Sequence, residues 1–183
     1  RSMPRWNMTS SGQWLANLAA AGVRPEAVDY VMCTHLHRDH VGWNTVLRDG
    51  RWVPTFPNAT YLFSQKEYDY WATQPDARPN EGFPDSVRPI VEAGRAALVA
   101  NNFALDDEVW LEPTPGHTPD HVGVHLKSNG AQAVITGDLI HTPVQCLEPT
   151  WAMRADFDRD LARKTRRAFL ERYCGTDVLV CAT

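Results

Sequence analysis

The sequence predicts a mixed α/β fold for its 183 residues. Short apolar runs typical of buried strands alternate with segments of helical periodicity along the whole chain. Turns rich in Gly, Pro, Asn and Asp separate these segments. No internal repeat and no low-complexity tract interrupts the pattern. At this length, we expect residues 1–183 to form a single domain with a sizeable core.

The first half of the chain predicts two helices and four strands. Its elements are a helix over 12–21 that Ser10 or Ser11 caps and Gly22 ends, a strand over 29–33, a hairpin of strands 45–48 and 51–53, a strand over 60–63, and a helix from 64 to about 72. Asp49-Gly50 is typical of a tight hairpin turn. Ser64 and Glu67 have the spacing of a capping box at the start of their helix.

The second half predicts two further helices and four strands. A loop rich in Pro, Asn, Asp and Gly over 74–84 is expected to be exposed, and Pro89 is expected to break or delay the helix over 85–97. The remaining elements are strands over 109–112, 121–126 and 131–136, a long helix from Ala155 or Asp156 to about Tyr173, and a strand over 177–182. The turn at Ser128-Asn129-Gly130 predicts a hairpin between the strands it joins.

Composition argues against two classes of partner. The net charge of −4 does not favour a nucleic-acid-binding surface. The one basic cluster, residues 163–167, interleaves with apolar residues at helical spacing, which predicts a solvated helix face. No apolar run approaches the roughly 20 residues that a membrane-spanning helix requires. We therefore expect a small-molecule substrate, no nucleic acid and no membrane.

The four cysteines show no paired spacing. Cys33 and Cys181 lie in strand-like runs and are predicted to be buried thiols. This usage favours a reducing, cytoplasmic compartment. Because Arg1 is not a natural start, a removed leader stays an alternative, and with it a secreted or periplasmic location.

The densest chemical feature of the sequence is the run Thr34-His35-Leu36-His37-Arg38-Asp39-His40. A strand precedes it and a short helix is expected to follow, so the bend can aim several side chains at one point. His35 and His37 can face one way, with Asp39 and His40 turned to another. One cluster can therefore supply two adjacent metals. Imidazole and carboxylate ligands without cysteine suit zinc, manganese or iron.

Two further segments carry candidate ligands. His117 follows Pro115-Gly116 in a tight turn after a strand, and Asp138 follows Gly137 at the end of another strand. The first cluster also follows a strand, so all three sites are expected to meet at one edge of the fold. His121 either supports this site or merely alternates along its strand. His125 is predicted to be a core or edge residue.

The motifs THLHRDH, PGHTPDH and TGD, in this order, resemble those of the metallo-β-lactamase-fold hydrolases. Their flanking residues are similar to the branch that holds acyl-homoserine lactonases and methyl-parathion-hydrolase-like enzymes. The resemblance implies a four-layer αββα sandwich. It implies that the first metal is held by His35, His37 and His117, that the second is held by Asp39 and His40, and that Asp138 bridges both.

The family pattern also has parts that this sequence does not contain. The family opens with strands before the first motif and supplies one more His to the second metal after its final strand, whereas this sequence ends at Thr183. The resemblance therefore implies a domain without its N-terminal strands and C-terminal end. We expect one tightly bound Zn²⁺ and a second, weaker one, with Mn²⁺ or Fe as alternatives. A homodimer is an alternative source of the missing ligand.

The expected activity is hydrolysis by a metal-bridging hydroxide. Asp39 or Asp138 is expected to carry a proton to the leaving group. Trp43, His141 and Trp151 are predicted to contact the substrate, for which a lactone or carboxylic ester is favoured. Alternatives are an organophosphorus triester, a thioester and a β-lactam, the last disfavoured because Asp138 stands where β-lactamases of this fold carry Cys or Ser. A catalytically impaired or non-enzymatic metal-binding remnant is a further alternative.

Overall fold

The computed structural model describes residues 13–73 and 82–182. The predicted cap at Ser10 or Ser11, most of the predicted loop over 74–84, and Thr183 lie outside these residues. The helices are α1 Gln13–Ala20, α2 Arg38–Val41, α3 Gln65–Ala72, α4 Arg88–Glu92, α5 Val144–Leu147 and α6 Arg159–Tyr173. The strands are β1 Tyr30–Met32, β2 Thr45–Arg48, β3 Arg51–Pro54, β4 Thr60–Ser64, β5 Ala96–Val99, β6 Val109–Pro113, β7 Val122–Ser128, β8 Ala131–Ile135 and β9 Leu179–Cys181. The predicted mixed α/β class is confirmed.

Two larger sheets and one hairpin organise the described residues. In the first sheet, β1 and β5 both pair in parallel with the central strand β4. In the second sheet, the order is β6-β7-β8-β9, antiparallel except for the parallel pair β8 and β9. A backbone hydrogen bond of 2.9 Å from Val122 N to Thr34 O joins the two sheets at the edge where the motifs lie.

Three apolar clusters show how the sheets and helices are stacked in layers. Met32 and Val99 of the first sheet pack against Leu111, Val122 and Val124 of the second. On the outer face of the first sheet, Tyr61 and Phe63 pack with residues of α1, α3 and α4. On the outer face of the second sheet, Val134 packs against Phe169 of α6. The result is the predicted order of helix, sheet, sheet, helix.

Both predicted hairpin turns are present. Asp49 and Gly50 have φ values of 49° and 74°, and Asn129 and Gly130 have φ values of 49° and 83°. Positive φ at both central residues matches the twist of the flanking strands, which is why Asp-Gly and Asn-Gly are favoured there. These turns fix the pairing of β2 with β3 and of β7 with β8.

The helix predicted over 85–97 is confirmed only in part. A π-helical turn spans Phe83–Val87, and α4 begins at Arg88, which agrees with the late start predicted at Pro89. However, α4 already ends at Glu92, and residues 96–99 form strand β5. Gly94 has a φ of 67°, which ends the helix, and the apolar residues after it bury their backbone by pairing with β4. Phe83, predicted to lie in an exposed loop, is buried. A short apolar run does not separate helix from strand, so the sheet decides.

Two smaller predictions also change. Helix α6 begins at Arg159, later than predicted, because Asp158 Oδ1 accepts hydrogen bonds from Asp160 N and Leu161 N. Cys33 is buried as predicted, but Cys181 is exposed, since β9 is the edge strand of its sheet. Among the described residues, none of the helices is both long and apolar enough to cross a bilayer.

Candidate metal centre

The three sequence motifs meet at one edge of the sandwich. His35, His37, His117 and Asp138 each offer a ligand atom, and these atoms all lie within 4.8 Å of one another. His35 and His37 follow β1 of the first sheet, whereas His117 and Asp138 follow β6 and β8 of the second. Each sheet therefore contributes two ligands. Leu36, between the first two, is buried in the apolar core and anchors their loop.

The donor set fits a divalent transition metal. His35 is buried, and its Nε2 has no hydrogen-bond partner within the described part of the chain, although Asp138 Oδ2 lies 3.8 Å away. Burial lowers the pKa of His35 well below its usual value and that of His37 to about 4, and the neighbouring imidazoles add to the effect. Both rings are neutral at pH 7, so their lone pairs are available to a metal.

Asp138 lies at the centre of the imidazoles. Its Oδ1 is 3.1 Å from His40 Nε2, and its Oδ2 is 3.2 Å from both His117 Nε2 and His141 Nε2. Burial opposes the charged carboxylate, but hydrogen bonds from His117, His141 and His40 outweigh it and hold the pKa far below its usual range. Asp138 is therefore a buried anion surrounded by imidazole nitrogens.

Asp39 lies at the rim of the cluster. Its side chain is 42% exposed, and its Oδ2 is 4.0 Å from His40 Nε2. The structure thus brings His40 next to Oδ1 of Asp138 and Asp39 next to His40, but it does not bring Asp39 into the group of four residues around His35.

Asp156 fixes the ring of His117. Its Oδ1 lies 3.0 Å from His117 Nδ1, and its Oδ2 accepts a hydrogen bond from Met153 N at 2.7 Å. Burial would lower the pKa of His117, but the hydrogen bonds with Asp138 and Asp156 outweigh it and raise the pKa to about 9. In the sequence, Ala155 or Asp156 is predicted to start the last helix. Because the two residues are 39 positions apart, no local pattern could have revealed the pair.

His121 supports the site from behind. It is fully buried, and burial lowers its pKa to about 3, so the ring is neutral. Its Nε2 accepts a hydrogen bond from Asp138 N at 3.1 Å, which leaves the proton on Nδ1 to be donated to Thr114 Oγ1 at 2.8 Å. The structure therefore agrees with the interpretation that His121 supports the site, and not with the alternative that it merely alternates along its strand. His125 lies elsewhere, in the core, 2.6 Å from Glu112.

Two glycines allow close approach around the ligands. A Cβ on Gly116, which has a φ of 132°, would lie 2.4 Å from Ala162 N of α6. A Cβ on Gly137, which has a φ of 50°, would lie 2.6 Å from Thr34 Oγ1. A larger residue at either position would push a ligand loop away from its neighbour.

The predicted capping box at the start of α3 is wrong. Ser64 is the N-cap residue, but its side chain makes no capping bond and instead donates to Asp120. Glu67 is buried and accepts hydrogen bonds from Leu36 N and Asp120 N, which belong to the two loops that carry His35, His37 and His117. Local spacing suggested a helix cap, whereas tertiary contacts take both side chains.

The predicted substrate residues occupy different places. His141 Nε2 contacts Asp138, as described above, and His141 N donates to Gln145 Oε1 at 2.8 Å. Trp151 is 59% exposed. Trp43 stacks on Trp14, with ring centroids 4.8 Å apart, and both line an apolar cavity of about 360 Å³ that reaches His40. His141 is thus at the cluster and Trp43 lines a cavity that reaches His40, whereas the side chain of Trp151 is mostly exposed to solvent.

Arg166 corrects the prediction that residues 163–167 form a solvated face. It is completely buried, and its guanidinium donates to Leu139 O, Pro149 O and Trp151 O at 2.7 to 3.0 Å. Gln145 Nε2 also donates to Trp151 O, at 2.8 Å. Together these side chains hold the segment from Asp138 to Trp151 against α6. A basic run at helical spacing gives no sign that one member is turned inward.

Comparison with known proteins finds relatives whose names describe hydrolases and lactonases. An N-acyl homoserine lactonase, AttM, of Azorhizobium caulinodans is 30% identical over 138 residues, which cover 70% of this chain and 47% of that protein. The crystal structure of AbOPH, a hydrolase in the beta lactamase superfamily, matches with a TM-score of 0.80 and 30% identity, over 93% of this chain and 62% of that chain. AidC, a dizinc quorum-quenching lactonase, matches with a TM-score of 0.74 and 24% identity, over 91% and 61% of the two chains.

The chain spans about half the length of the curated relatives it matches. Its residues 6–172 match the family model described as the metallo-beta-lactamase superfamily. This match covers most of the chain and includes every residue of the cluster around Asp138. The fold, the order of the motifs and their convergence agree with it, and the chain belongs to the metallo-beta-lactamase superfamily.

Proposed function

We propose that this chain carries the metal centre of a hydrolase that opens a lactone or cleaves a carboxylic ester. The observation that carries the proposal is the convergence of three imidazoles and one carboxylate, from both sheets, within 4.8 Å. The buried Nε2 of His35, which has no hydrogen-bond partner among residues 13–73 and 82–182, fits a metal ligand better than a structural histidine, because a buried polar atom without a partner is costly.

His35, His37 and His117 would hold one metal, and Asp39 and His40 a second, with Asp138 shared between them. A divalent metal in such a site makes hydroxide available at neutral pH and polarises a carbonyl oxygen. Zinc suits these ligands, with manganese or iron as alternatives. Asp156 and His121 orient His117 and Asp138 through hydrogen bonds of 3.0 Å and 3.1 Å, so the ligand atoms are held in place before the metal arrives.

Of the two predicted proton carriers, Asp39 is the better placed. Its carboxylate is partly exposed and reaches solvent, whereas the carboxylate of Asp138 is surrounded by three imidazoles. His141, 3.2 Å from Asp138 Oδ2, stands beside the position where a substrate carbonyl would meet the cluster. A proton can therefore pass between the leaving group and solvent through Asp39, while His141 orients the substrate.

The substrate class rests on the relatives and on the surface beside His117. Several relatives are named N-acyl homoserine lactonases. An N-acyl homoserine lactone contains a lactone ring and an acyl group. Met153 and Phe157, on either side of Asp156, are 37% and 52% exposed, and Phe157 N donates to His117 O at 3.0 Å. An apolar surface next to the cluster favours a substrate with an apolar group.

The test is hydrolysis by the purified, zinc-loaded protein of a lactone, a carboxylic ester, a phosphotriester, a thioester and a β-lactam. We expect turnover of the lactone or ester, and we expect His35→Ala and His117→Ala to abolish it. His125→Gln is the matched control, because His125 lies outside the cluster. Faster turnover of one of the other three classes would move the proposal to that class. Bound zinc without turnover of any substrate would indicate a non-enzymatic metal-binding chain.

A further inference from the structure

The metal ligands come from two separate sheets, so something must fix the distance between the two ligand loops. Loop 34–40 follows β1 of the first sheet, and loop 114–121 follows β6 of the second. A backbone bond from Val122 N to Thr34 O joins their outer ends. A second connection between the two loops is made by a side chain that belongs to neither of them.

That side chain is Glu67, in the first turn of α3. It is 1% exposed. Its Oε1 accepts from Leu36 N at 3.3 Å, and its Oε2 accepts from Asp120 N at 3.1 Å. The two oxygens of one carboxylate are thus divided between the two loops. Leu36 lies between two of the candidate ligands, and Asp120 lies three residues after a third, so a shift of either backbone moves a ligand.

Glu67 also sets the position of Trp71. Trp71 Nε1 donates to Glu67 Oε1 at 2.8 Å, one helical turn along α3. The Trp71 ring meets the His37 ring edge-on, with centroids 5.4 Å apart and an interplanar angle of 65°. This contact limits rotation of the His37 imidazole. The carboxylate therefore acts on His37 twice, through the backbone of its loop and through the indole beside its ring.

Loop 114–121 makes further hydrogen bonds at Asp120. The side chain of Asp120 accepts from Ser64 Oγ and, at 2.7 Å, from Asn101 Nδ2. Ser64 ends β4, and Asn101 lies in the loop after β5. Loop 114–121, next to the second sheet, is consequently held to the elements around the first sheet by three side chains, those of Glu67, Ser64 and Asn101. Burial disfavours the charged carboxylate and raises the pKa of Glu67, and the hydrogen bonds to the two loops offset this cost.

We propose that Glu67 is a positioning residue that sets the separation of loops 34–40 and 114–121 and thereby the geometry of the metal centre. The inference rests on the metal-binding part of the proposed function, but not on any substrate. Hydrogen-bonded groups behind metal ligands typically contribute about 10- to 100-fold to metal affinity. Glu67 differs from such groups because it bonds to the backbone of the ligand loops and not to a ligand side chain. Through these bonds it acts on ligands from both sheets.

The test compares Glu67→Gln with the wild-type protein in Zn²⁺ affinity, measured by competition with a chelator. Gln keeps the size of the side chain but replaces one acceptor with an NH₂ group, which faces a backbone N–H. We expect affinity to fall about 10-fold or more, and we expect the visible spectrum of the Co²⁺-substituted protein to change, because the ligand geometry changes. Glu112→Gln is the matched control. Glu112 is also a hydrogen-bonded carboxylate, but its partners His125 and Tyr173 lie outside the cluster. It should lower stability and leave both readouts unchanged.

Folded Glu67→Gln with wild-type Zn²⁺ affinity and an unchanged Co²⁺ spectrum would overturn the inference. An equal loss of affinity in Glu112→Gln would also overturn it, since the effect would then be one of general stability. If Glu67→Gln does not fold, Trp71→Phe keeps a ring beside His37 and removes the donor to Glu67. An unchanged Co²⁺ spectrum in that variant would count against the inference. Failure of the wild-type protein to bind Zn²⁺ would instead refute the proposed metal centre.

Discussion

At the scale of single residues, the cluster is shaped by the hydrogen bonds behind its imidazoles. A histidine has two nitrogens, and the partner of one decides which way the other points. Asp156 occupies Nδ1 of His117, so Nε2 faces Asp138. Thr114 occupies Nδ1 of His121, so Nε2 accepts from the backbone of Asp138. The chemistry of the site therefore depends on residues that would not themselves touch a metal.

Replacing Asp156 by Asn tests this dependence. The amide keeps the size of the side chain, but it can present an NH₂ group to His117 Nδ1 and favours the wrong tautomer. We expect Zn²⁺ affinity to fall about 10- to 100-fold, as measured by chelator competition. Asp160→Asn is the control, because Asp160 pairs only with exposed Arg163 in the described structure. A wild-type affinity in Asp156→Asn would show that the contact does not orient the ring.

At the scale of elements, α6 holds the segment that carries Asp138 and His141. The buried guanidinium of Arg166 donates to three backbone carbonyls of that segment, and Phe169 packs against Val134 of β8. One end of the same helix, through Arg172 and Tyr173, contacts Glu112 of β6. A single helix therefore ties the second sheet to the wall of the site, and the two ends can be tested separately.

Arg166→Met should lower the free energy of unfolding by about 3 kcal/mol, because three backbone carbonyls, that of Leu139 buried and those of Pro149 and Trp151 partly buried, lose a charged donor. Met retains much of the apolar stem, so the change isolates the guanidinium. Arg167→Met, on the exposed side of the same helix, should change stability by less than about 0.5 kcal/mol. Urea unfolding of the two metal-free variants gives both values. If both variants lowered the free energy of unfolding by the same small amount, the hydrogen bonds of the Arg166 guanidinium would not stabilise the fold.

Glu112 predicts a dependence of stability on pH. Burial would raise its pKa, but hydrogen bonds from His125 and Tyr173, with Arg172 nearby, outweigh burial and lower the pKa below 4.5. The unfolded chain then takes up the proton first as pH falls. The stability that this group contributes is present above about pH 4.5 and is lost as pH falls through the folded-state pKa. Urea midpoints of metal-free Glu112→Gln should therefore fall less steeply than those of the wild type below about pH 4.5. Parallel curves would contradict the assignment.

At the scale of the whole molecule, the candidate metal centre lies where the two sheets meet. Two ligands come from each sheet, so a bound metal would cross-link the two halves of the fold. A ligand that binds only the folded state stabilises it in proportion to the logarithm of its concentration. Metal binding and folding are therefore expected to be coupled in this protein.

Zinc at about 100 times its dissociation constant should raise the free energy of unfolding by about 2.7 kcal/mol. Thermal unfolding with and without a chelator measures the shift. His35→Ala should remove most of it, whereas His125→Gln should keep it. A zinc-induced shift that survives in His35→Ala would place the tight site elsewhere in the chain.

The two halves of the cluster are expected to differ in affinity. The side of Asp138 that faces His35, His37 and His117 collects three imidazoles, whereas the side that faces His40 has one imidazole and the partly exposed Asp39. We expect one tight Zn²⁺ and a second, weaker one in this chain. Chelator titration with metal counting resolves the two. Two equally tight ions per chain would require a further ligand, from another side chain or a second copy.

Much of the molecule could be predicted from local sequence. The Asp-Gly and Asn-Gly turns have few alternative conformations, so both hairpins were correct. The Thr34–His40 run and the segments around His117 and Asp138 all follow strands, so their convergence followed from the class of fold. Strand β5 was missed because an apolar run of four residues carries no distinguishing period. It became a strand because β4 offered a free edge.

By itself, the sequence determined which residue types bear the chemistry and in what order they occur, because ligand spacing and turn residues act over a few positions. Only the tertiary structure decided which side chains support them. Asp156, Glu67 and Arg166 had the local appearance of a helix start, a helix cap and a solvated cation. Each is instead turned inward to satisfy groups far along the chain, since buried polar groups must find partners wherever the fold brings them.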